Sequence, residues 1–529
     1  MAGMKISAPA THFMTTIQRK VVIAACFGTF LEWYDFLTFA SLAIYFSVLF
    51  FPPDDPVAAL LASLATFGVG MLVRPLGAAI FGSLGDKYGR RPIFIATIAL
   101  MGLTTFAVGL LPTYQQVGMW APALLLLLRL LQGFAVGGEI GGAAVYLTEH
   151  APANRRGFYT SVLQLMGPLG IMVSTLQVVL LLGWLGEAEF REWGWRVPFI
   201  LSILLLLISL KSRMNMIESP VFLEMQKSET LSKAPLRECL KDRHTLGRMG
   251  LLFFCISAGG SLLFFSSQVY TNVFLKSVVK LDAELASSLV MFSTLALFPL
   301  TIFFGWLSDK IGRRPVLLAG LLLGALTIYP VFNGLLHYGN PTLEKFNRSV
   351  PIQLFGSDCH YGPFTATRND CERNQELLSK MGVSYSLHPA ATTEVSVSGY
   401  LVSGYAPERL KSALIVAGWP EKADPAQVNR WMIFLLLLIP VTAVGLITGP
   451  QTATLAELFP ARTRYTAVAL PHNLSAGWIG GLSPFMVMLV SIKAGDSLAG
   501  ILYPVVLLGI AFVIGFFFLP ETKNANLLE

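Results

Sequence analysis

The sequence predicts an all-α polytopic membrane protein, with twelve transmembrane helices in two pseudo-symmetric halves of six. Three observations predict it. Of 529 residues, 54% are hydrophobic and only 13% are charged, where a soluble chain carries about 25% charged residues. The apolar residues fall into about a dozen runs, each near the roughly 20 residues that a bilayer-crossing helix needs. Finally, the stretch FGSLGDKYGRRP at 81–92 returns as FGWLSDKIGRRP at 304–315, as expected of a duplicated half.

Taken in order, the first half has spans near 21–49, 57–83, 92–112, 119–148, 157–184 and 195–213. The second half has spans near 248–275, 285–308, 315–337, 430–456, 464–492 and 498–519. The loops between them orient the chain. Lys87, Arg90 and Arg91 follow the second span, and Arg155 and Arg156 the fourth. Lys211, Arg213 and the basic residues up to Arg248 surround the central loop. Lys310, Arg313 and Arg314 follow the eighth span, and Arg462 and Arg464 the tenth. Loops after odd spans, such as PPDDP at 52–56, show no such excess. Basic loops stay inside, so these loops and both termini are expected in the cytoplasm.

The expected organisation is a tail at 1–20, a six-helix half at 21–213 and a central cytoplasmic loop at 214–247. Helices seven to nine follow at 248–338, an outside insert at 339–429, helices ten to twelve at 430–519 and a tail at 520–529. The first apolar run, from near Val21, is long enough to span and stay, so no cleaved leader is expected. The net charge of +7 resides in short loops beside apolar runs, which argues for a bilayer and against nucleic acid as the partner.

The repeat has further members. EHAPANRR at 149–156 matches ELFPARTR at 457–464, and ESP at 218–220 matches ETK at 521–523. Asp86 and Asp309 lie 223 residues apart, Glu149 and Glu457 308 apart. About 85 extra residues therefore entered the second half, which locates the polar insert. Its acidic and basic residues nearly balance, consistent with an outside position. PERLKSALIVAGWP at 407–420 reads as a short helix opened by Pro407 and closed by Gly418 and Pro420. Cys359 and Cys371 either pair, if the outside is oxidising, or remain two free thiols in a flexible loop. Asn347-Arg348-Ser349 fits a glycosylation triplet that also arises often by chance.

The repeated G-x-L-x-D-K-x-G-R-R-P loops resemble the signature of the major facilitator superfamily. FLEWYDF (30–36), VRPLGAAIFGSLGDKYGRR (73–91) and LRLLQGFAVGGEIGGAAVYLTEHAPANRRG (128–157) are similar to the metabolite:proton symporter family of bacterial inner membranes. The resemblance covers roughly 20–338 and 430–524, not the insert. It implies the major facilitator fold and transport of small organic acids or zwitterions such as proline and betaine. It also implies ion-pair clusters at the cytoplasmic face: Arg90 or Arg91 with Glu149, and Arg313 or Arg314 with Glu457. Asp86, Asp309, Arg156 and Arg464 complete this candidate gate. Asp86 is suited to cap the N-terminus of a neighbouring helix, where free N–H groups favour an anion. Such pairs are expected to be partly exposed and individually weak, as a releasable latch requires.

Buried charges single out the transport site, since an ionisable residue inside a span is costly. The first span carries Glu32 and Asp35, the second Arg74, the fourth Arg129 and Glu139. Glu32 and Asp35 lie at i and i+3, on one helix face. Arg129 and Glu139 lie about 15 Å apart along their helix, so each needs a partner elsewhere. Burial disfavours an ionised carboxyl and a neighbouring guanidinium favours it. A carboxyl whose surroundings change between the two access states is thus suited to carry a proton. Asp35, Glu32 and Glu139 are the candidates, with Asp35 preferred. Arg129 and Arg74 would grip a substrate carboxylate through their forked donors. The competing reading for each is a structural pair between helices. Tyr34, Gln132, Gln268, Tyr270, Asn272, His472 and Asn473 are weaker candidates for the cavity lining. Gly133, Gly137, Gly138, Gly141 and Gly142 give small-xxx-small spacing for close helix approach.

The expected function is proton-coupled uptake of a small anionic or zwitterionic metabolite by alternating access, by a chain that acts as a monomer. The alternatives are an uncoupled facilitator or an exporter on the same fold, and a sensor that binds without transport. An ATP-driven pump or a membrane enzyme is not expected, since neither G-x-x-x-x-G-K-[ST] nor H-E-x-x-H occurs. Nor is a metal or other cofactor.

Overall fold

The computed structural model describes residues 16–51, 56–357, 359–362 and 369–527. Twelve of its helices are long and apolar enough to cross a membrane, as the hydropathy pattern requires. They are α1 (Thr16–Phe50), α2 (Pro56–Tyr88), α3 (Arg90–Gly109), α4 (Trp120–His150), α5 (Ala153–Glu192) and α6 (Val197–Met214). The second half contributes α7 (Arg243–Ser277), α8 (Ala283–Ile311), α9 (Arg313–Gly339), α10 (Arg430–Glu457), α11 (Ala461–Ala494) and α12 (Leu502–Phe518). Several run past the apolar stretch into charged sequence, because hydropathy senses the lipid while backbone bonding continues beyond it.

Each half packs tightly within itself. α2 lies along α4, and α10 fills the equivalent place against α8 and α9. Gly133 and Gly137 explain the first contact. A Cβ on Gly133 would stand 2.0 Å from the carbonyl oxygen of Gly70, and one on Gly137 2.1 Å from that of Arg74. Only glycine lets the α2 backbone come so near. The halves meet through α2 against α11 and, in mirror fashion, α8 against α5. Asn473 Nδ2 donates to the Gly137 carbonyl at 2.9 Å, and the Tyr465 hydroxyl to that of Gly138 at 2.6 Å.

α7 and α11 are not regular. α7 contains π-helical turns at Leu252–Ser257 and Phe265–Tyr270, and α11 one at Ser475–Gly480. Such turns often mark functional segments, and glycine-rich sequence (Gly259, Gly260; Gly477, Gly480, Gly481) accompanies them.

The insert is folded. A helix at Pro341–Ser349 leads into a four-stranded sheet of β1 (Ile352–Gly356), β2 (Ser386–Pro389), β3 (Glu394–Val397) and β4 (Tyr400–Ser403). The order is β2-β1-β3-β4, with β1 and β2 parallel and the other pairs antiparallel. The helix Asp370–Lys380 connects the parallel pair, as a parallel connection demands. The helix expected from PERLKSALIV runs Pro407–Val416 and is followed by Gly418 at φ 96°. Cys359 and Cys371 are bonded, with Cα atoms 5.4 Å apart. Asn347 is already engaged. Its Nδ2 donates to the Gly382 carbonyl at 2.9 Å and its Oδ1 accepts from Ser384 N at 3.2 Å, so the glycosylation triplet lacks a free amide.

The insert is tied to the second half. Lys280 Nζ donates to the Lys380 carbonyl at 2.6 Å, and Tyr385 N to the Gly495 carbonyl at 2.7 Å. The Tyr385 hydroxyl reaches the Ile492 carbonyl at 2.5 Å.

Candidate functional site

Between the halves lies a cavity of about 90 Å³. Thr29, Trp33 and Phe36 come from α1, Met71 and Arg74 from α2, and Gln164 from α5. α7 supplies Gly260, Ser261 and Phe264 from the regular turns between its two π-helical segments, and Phe265 from the second of them; Thr448 and Gln451 come from α10, His472 and Ala476 from α11. Trp33 and Phe264 meet across the two halves with ring centroids 5.5 Å apart. Ligand pockets run to roughly 300–1,000 Å³, so in this conformation the cavity is narrower than a working pocket.

The buried charges beside it form three pairs, each between two helices of the first half. Arg74 Nη2 lies 3.4 Å from Glu32 Oε1. Arg129 Nη1 lies 3.4 Å from Asp35 Oδ2, and Gln132 Nε2 donates to Asp35 Oδ1 at 3.1 Å. Arg213 meets Glu139 with both Nη atoms, one at 2.9 Å, and Thr97 donates to the same carboxylate at 3.1 Å. Arg129 and Arg213 also stack over Phe39 and Phe94, at 3.4 and 3.5 Å from the ring centroids.

The pairs differ in completeness. Asp35 has hydrogen-bond donors on both oxygens. Glu139 has three. Among the described residues, none donates a hydrogen bond to either oxygen of Glu32, although the residue is 1% exposed. Its ion-pair partner, Arg74, is also the residue that faces the cavity.

At the end of the bundle that carries the repeated loops, four carboxylates each cap a helix N-terminus. Asp86 accepts from Tyr465 N and Thr466 N, at 3.1 and 2.9 Å. Asp309 accepts from Gly157 N and Phe158 N, both at 2.8 Å. These two caps, four backbone hydrogen bonds in all, cross between the halves. Glu218 takes Arg90 N and Arg91 N, both at 3.1 Å, and Glu521 takes Arg313 N and Arg314 N, at 2.8 and 3.2 Å. Gly89 and Gly312, at φ 114° and 109°, make the turn that aims these amides outward, a conformation open to glycine. Around the caps lie matched ion pairs. Arg464 reaches Glu149 at 2.9 Å and Arg90 reaches it at 3.6 Å. Arg313 reaches Glu457 at 3.2 Å and Arg156 reaches it at 3.7 Å.

A sequence model of the sugar (and other) transporter family matches residues 21–343. The chain belongs to this major facilitator family of transporters. It is 35% identical, over 73% of its length and 87% of the relative's, to the inner membrane metabolite transport protein YhjE of Escherichia coli. It is 34% identical to that bacterium's proline/betaine transporter, over 82% of each chain. It is 37% identical to its shikimate transporter, over 60% of this chain and 72% of the relative. The proton:xylose symporter XylE superposes over 98% of this chain and 99% of its own with a TM-score of 0.61 and 15% identity, a likeness of fold. The family match ends at 343, just after the insert begins.

The transporter thus has the predicted fold, and it is not an enzyme. Its site differs from the sequence reading in several places. Arg74 and His472 line the cavity, whereas Arg129 is paired with Asp35, so only one of the two arginines faces the cavity. Tyr34 bonds Gln177 and the Pro198 carbonyl, and Gln132 bonds Asp35 and Thr105. Gln268 bonds Ser267 and Thr294, Tyr270 packs against Phe274 and Phe332, and Asn473 joins the halves. These residues and Asn272 are absent from the lining. Glu139 is not solitary. Its partner Arg213, taken from sequence as part of the central basic loop, is fully buried within α6. In the gate, Arg90 and Arg313 make the pairs, while Arg91 and Arg314 bond the Met214 and Phe516 carbonyls. The paired gate charges are buried, not partly exposed, whereas Arg91 and Arg314 are half-buried. Sequence reasoning missed Gln164, Thr448 and Gln451, which were visible as uncharged polar residues inside apolar runs.

Proposed function

We propose that this transporter is a proton-coupled symporter of a small carboxylate-bearing metabolite. It would work by alternating access in a bacterial inner membrane, with the repeated loops and both termini in the cytoplasm. The observation that carries the reading is the Glu32–Arg74 pair at the cavity wall. Arg74 has two suitors: Glu32, which accepts no hydrogen bond from the described residues, and any anion that enters the cavity. A substrate carboxylate that takes the Arg74 fork removes the counter-ion from Glu32. A carboxyl left uncompensated in a dry site takes up a proton, since an unpaired buried charge costs about 3–5 kcal/mol. Release of substrate on the other side returns Arg74 to Glu32 and expels the proton. One substrate then moves with one proton. Asp35, already satisfied by Arg129 and Gln132, fits a structural role better, so the preferred proton carrier moves from Asp35 to Glu32. The aromatic wall of Trp33, Phe36, Phe264 and Phe265 suits an apolar or cationic substrate body. Proline, betaine and shikimate, named for two of the relatives, all bear a carboxylate.

The test is uptake into proteoliposomes with the outside made acidic, using a panel of labelled carboxylates. The wild type is expected to accumulate at least one of them, and Glu32→Gln to lose accumulation but keep counterflow. Equal uptake with and without the gradient would mean an uncoupled facilitator. Loss of coupling in Asp35→Asn but not in Glu32→Gln would return the proton to Asp35.

A further inference from the structure

We infer that the segment after α12, residues 521–527, is a strap that holds the cytoplasmic side of the transporter shut and must lift before that side opens. The segment starts at the second-half gate. Glu521 caps α9, and the Thr522 hydroxyl donates to Glu457 at 2.8 Å. It then crosses to the first half, where the Ala525 carbonyl accepts from Arg156 Nη1 at 2.9 Å. It ends at the other gate. The Leu527 carbonyl accepts from Arg464 Nη2 at 2.8 Å, and its side chain is buried against Val221, Phe222, Met225 and Ala461.

Arg156 and Arg464 are the two arginines whose ion pairs, to Glu457 and Glu149, span the halves. The strap therefore takes up remaining donors of both cross-half pairs at once. Opening separates Arg156 from Glu457 and Arg464 from Glu149. It also pulls Ala525, which follows Arg156, away from Thr522, which follows Glu457. A segment bonded to both sides of a moving seam resists the motion. The half-repeat shows where the two copies diverge. In the first half the matching Glu218-Ser219 caps α3 and bonds Glu149 in the same way. The chain there turns into the helix Pro220–Lys227, which packs on Ala461–Thr463 of the second half, so each copy reaches across the seam by its own route.

Cys239 supplies a native reporter. It sits on the helix Pro235–Lys241, wedged between α2 of one half and α11 of the other, and is fully buried. Burial also pushes its thiol up to about 12, so it is shielded and protonated while the seam is closed. The experiment compares the full chain with a truncation after Lys523 and with Leu527→Asp, both in proteoliposomes. Maleimide labelling at each cysteine is read by peptide mapping. The bond from Arg156 to Ala525 is the strap bond that crosses the seam; a hydrogen bond to a charged group contributes about 1.5–3 kcal/mol, so its loss in the truncation predicts labelling of Cys239 faster by about tenfold or more. Cys26 and Cys255, buried within α1 and α7, stay unlabelled if the fold is intact, which separates seam opening from unfolding. Labelling of Cys239 at the wild-type rate in either folded variant overturns the strap. Should the truncation expose Cys26 and Cys255, Leu527→Asp alone decides. The result is independent of proton coupling, since it reads seam opening without substrate or gradient.

Discussion

Glu139 and Arg213 are the most completely dehydrated ion pair beside the cavity, at 1% and 0% exposure. Removing one partner of such a pair strands the other, at a cost of about 3–5 kcal/mol. Glu139→Gln is therefore expected to lower the melting temperature of the purified protein markedly. Glu139→Gln combined with Arg213→Met, which removes both charges, should recover most of the loss. A double variant no more stable than the single would show that the pair is more than a structural tie. The pair was half legible from sequence. Glu139 stands out inside GFAVGGEIGG, but Arg213 lies among Lys211 and the basic residues of the central loop, where charge counting assigns it to topology. Sequence also gives no sign that the neighbours Glu32 and Asp35 turn to different helices, one to α2 and one to α4.

Among the elements, the twelve spans were legible because apolar length and a repeated loop are one-dimensional signals. The sheet of the insert was not. Its strands are four or five residues long and pair across gaps such as Ile352 with Val397, too short to register as a pattern. The glycine contact between α2 and α4 permits a test by contrast. Gly133→Ala drives a methyl group into the Gly70 backbone and should sharply reduce the yield of monodisperse protein on size-exclusion chromatography. Gly183→Ala, on α5 with nothing within 4 Å of its Cβ position, should be neutral or gain up to about 1 kcal/mol in helix propensity. Equal yields for both would mean that α2 and α4 separate more easily than the packing implies.

For the whole molecule, the gate and the insert make opposite demands. The gate is shared by both halves, so Asp86→Asn and Asp309→Asn should each loosen it and the double variant loosen it most, measured by Cys239 labelling. Indifference of the double variant would remove these two caps from the gate. The insert belongs to one half. Spin labels at Val416 on the insert and Leu502 on α12 should keep a fixed distance as the protein cycles. Labels at Val416 and Met119, on the first half, should change distance with substrate. A changing Val416–Leu502 distance would mean that the insert moves by itself.

The crossed caps carry one further consequence. Asp86 of the first half serves the first turns of α11, at Tyr465 and Thr466, and Asp309 of the second serves those of α5, at Gly157 and Phe158. Each half gives the other what it receives, which is the geometry of an isologous contact between two copies of one subunit. The seam thus keeps the shape of a homodimer interface. Two separately expressed halves should find each other through it without a covalent link.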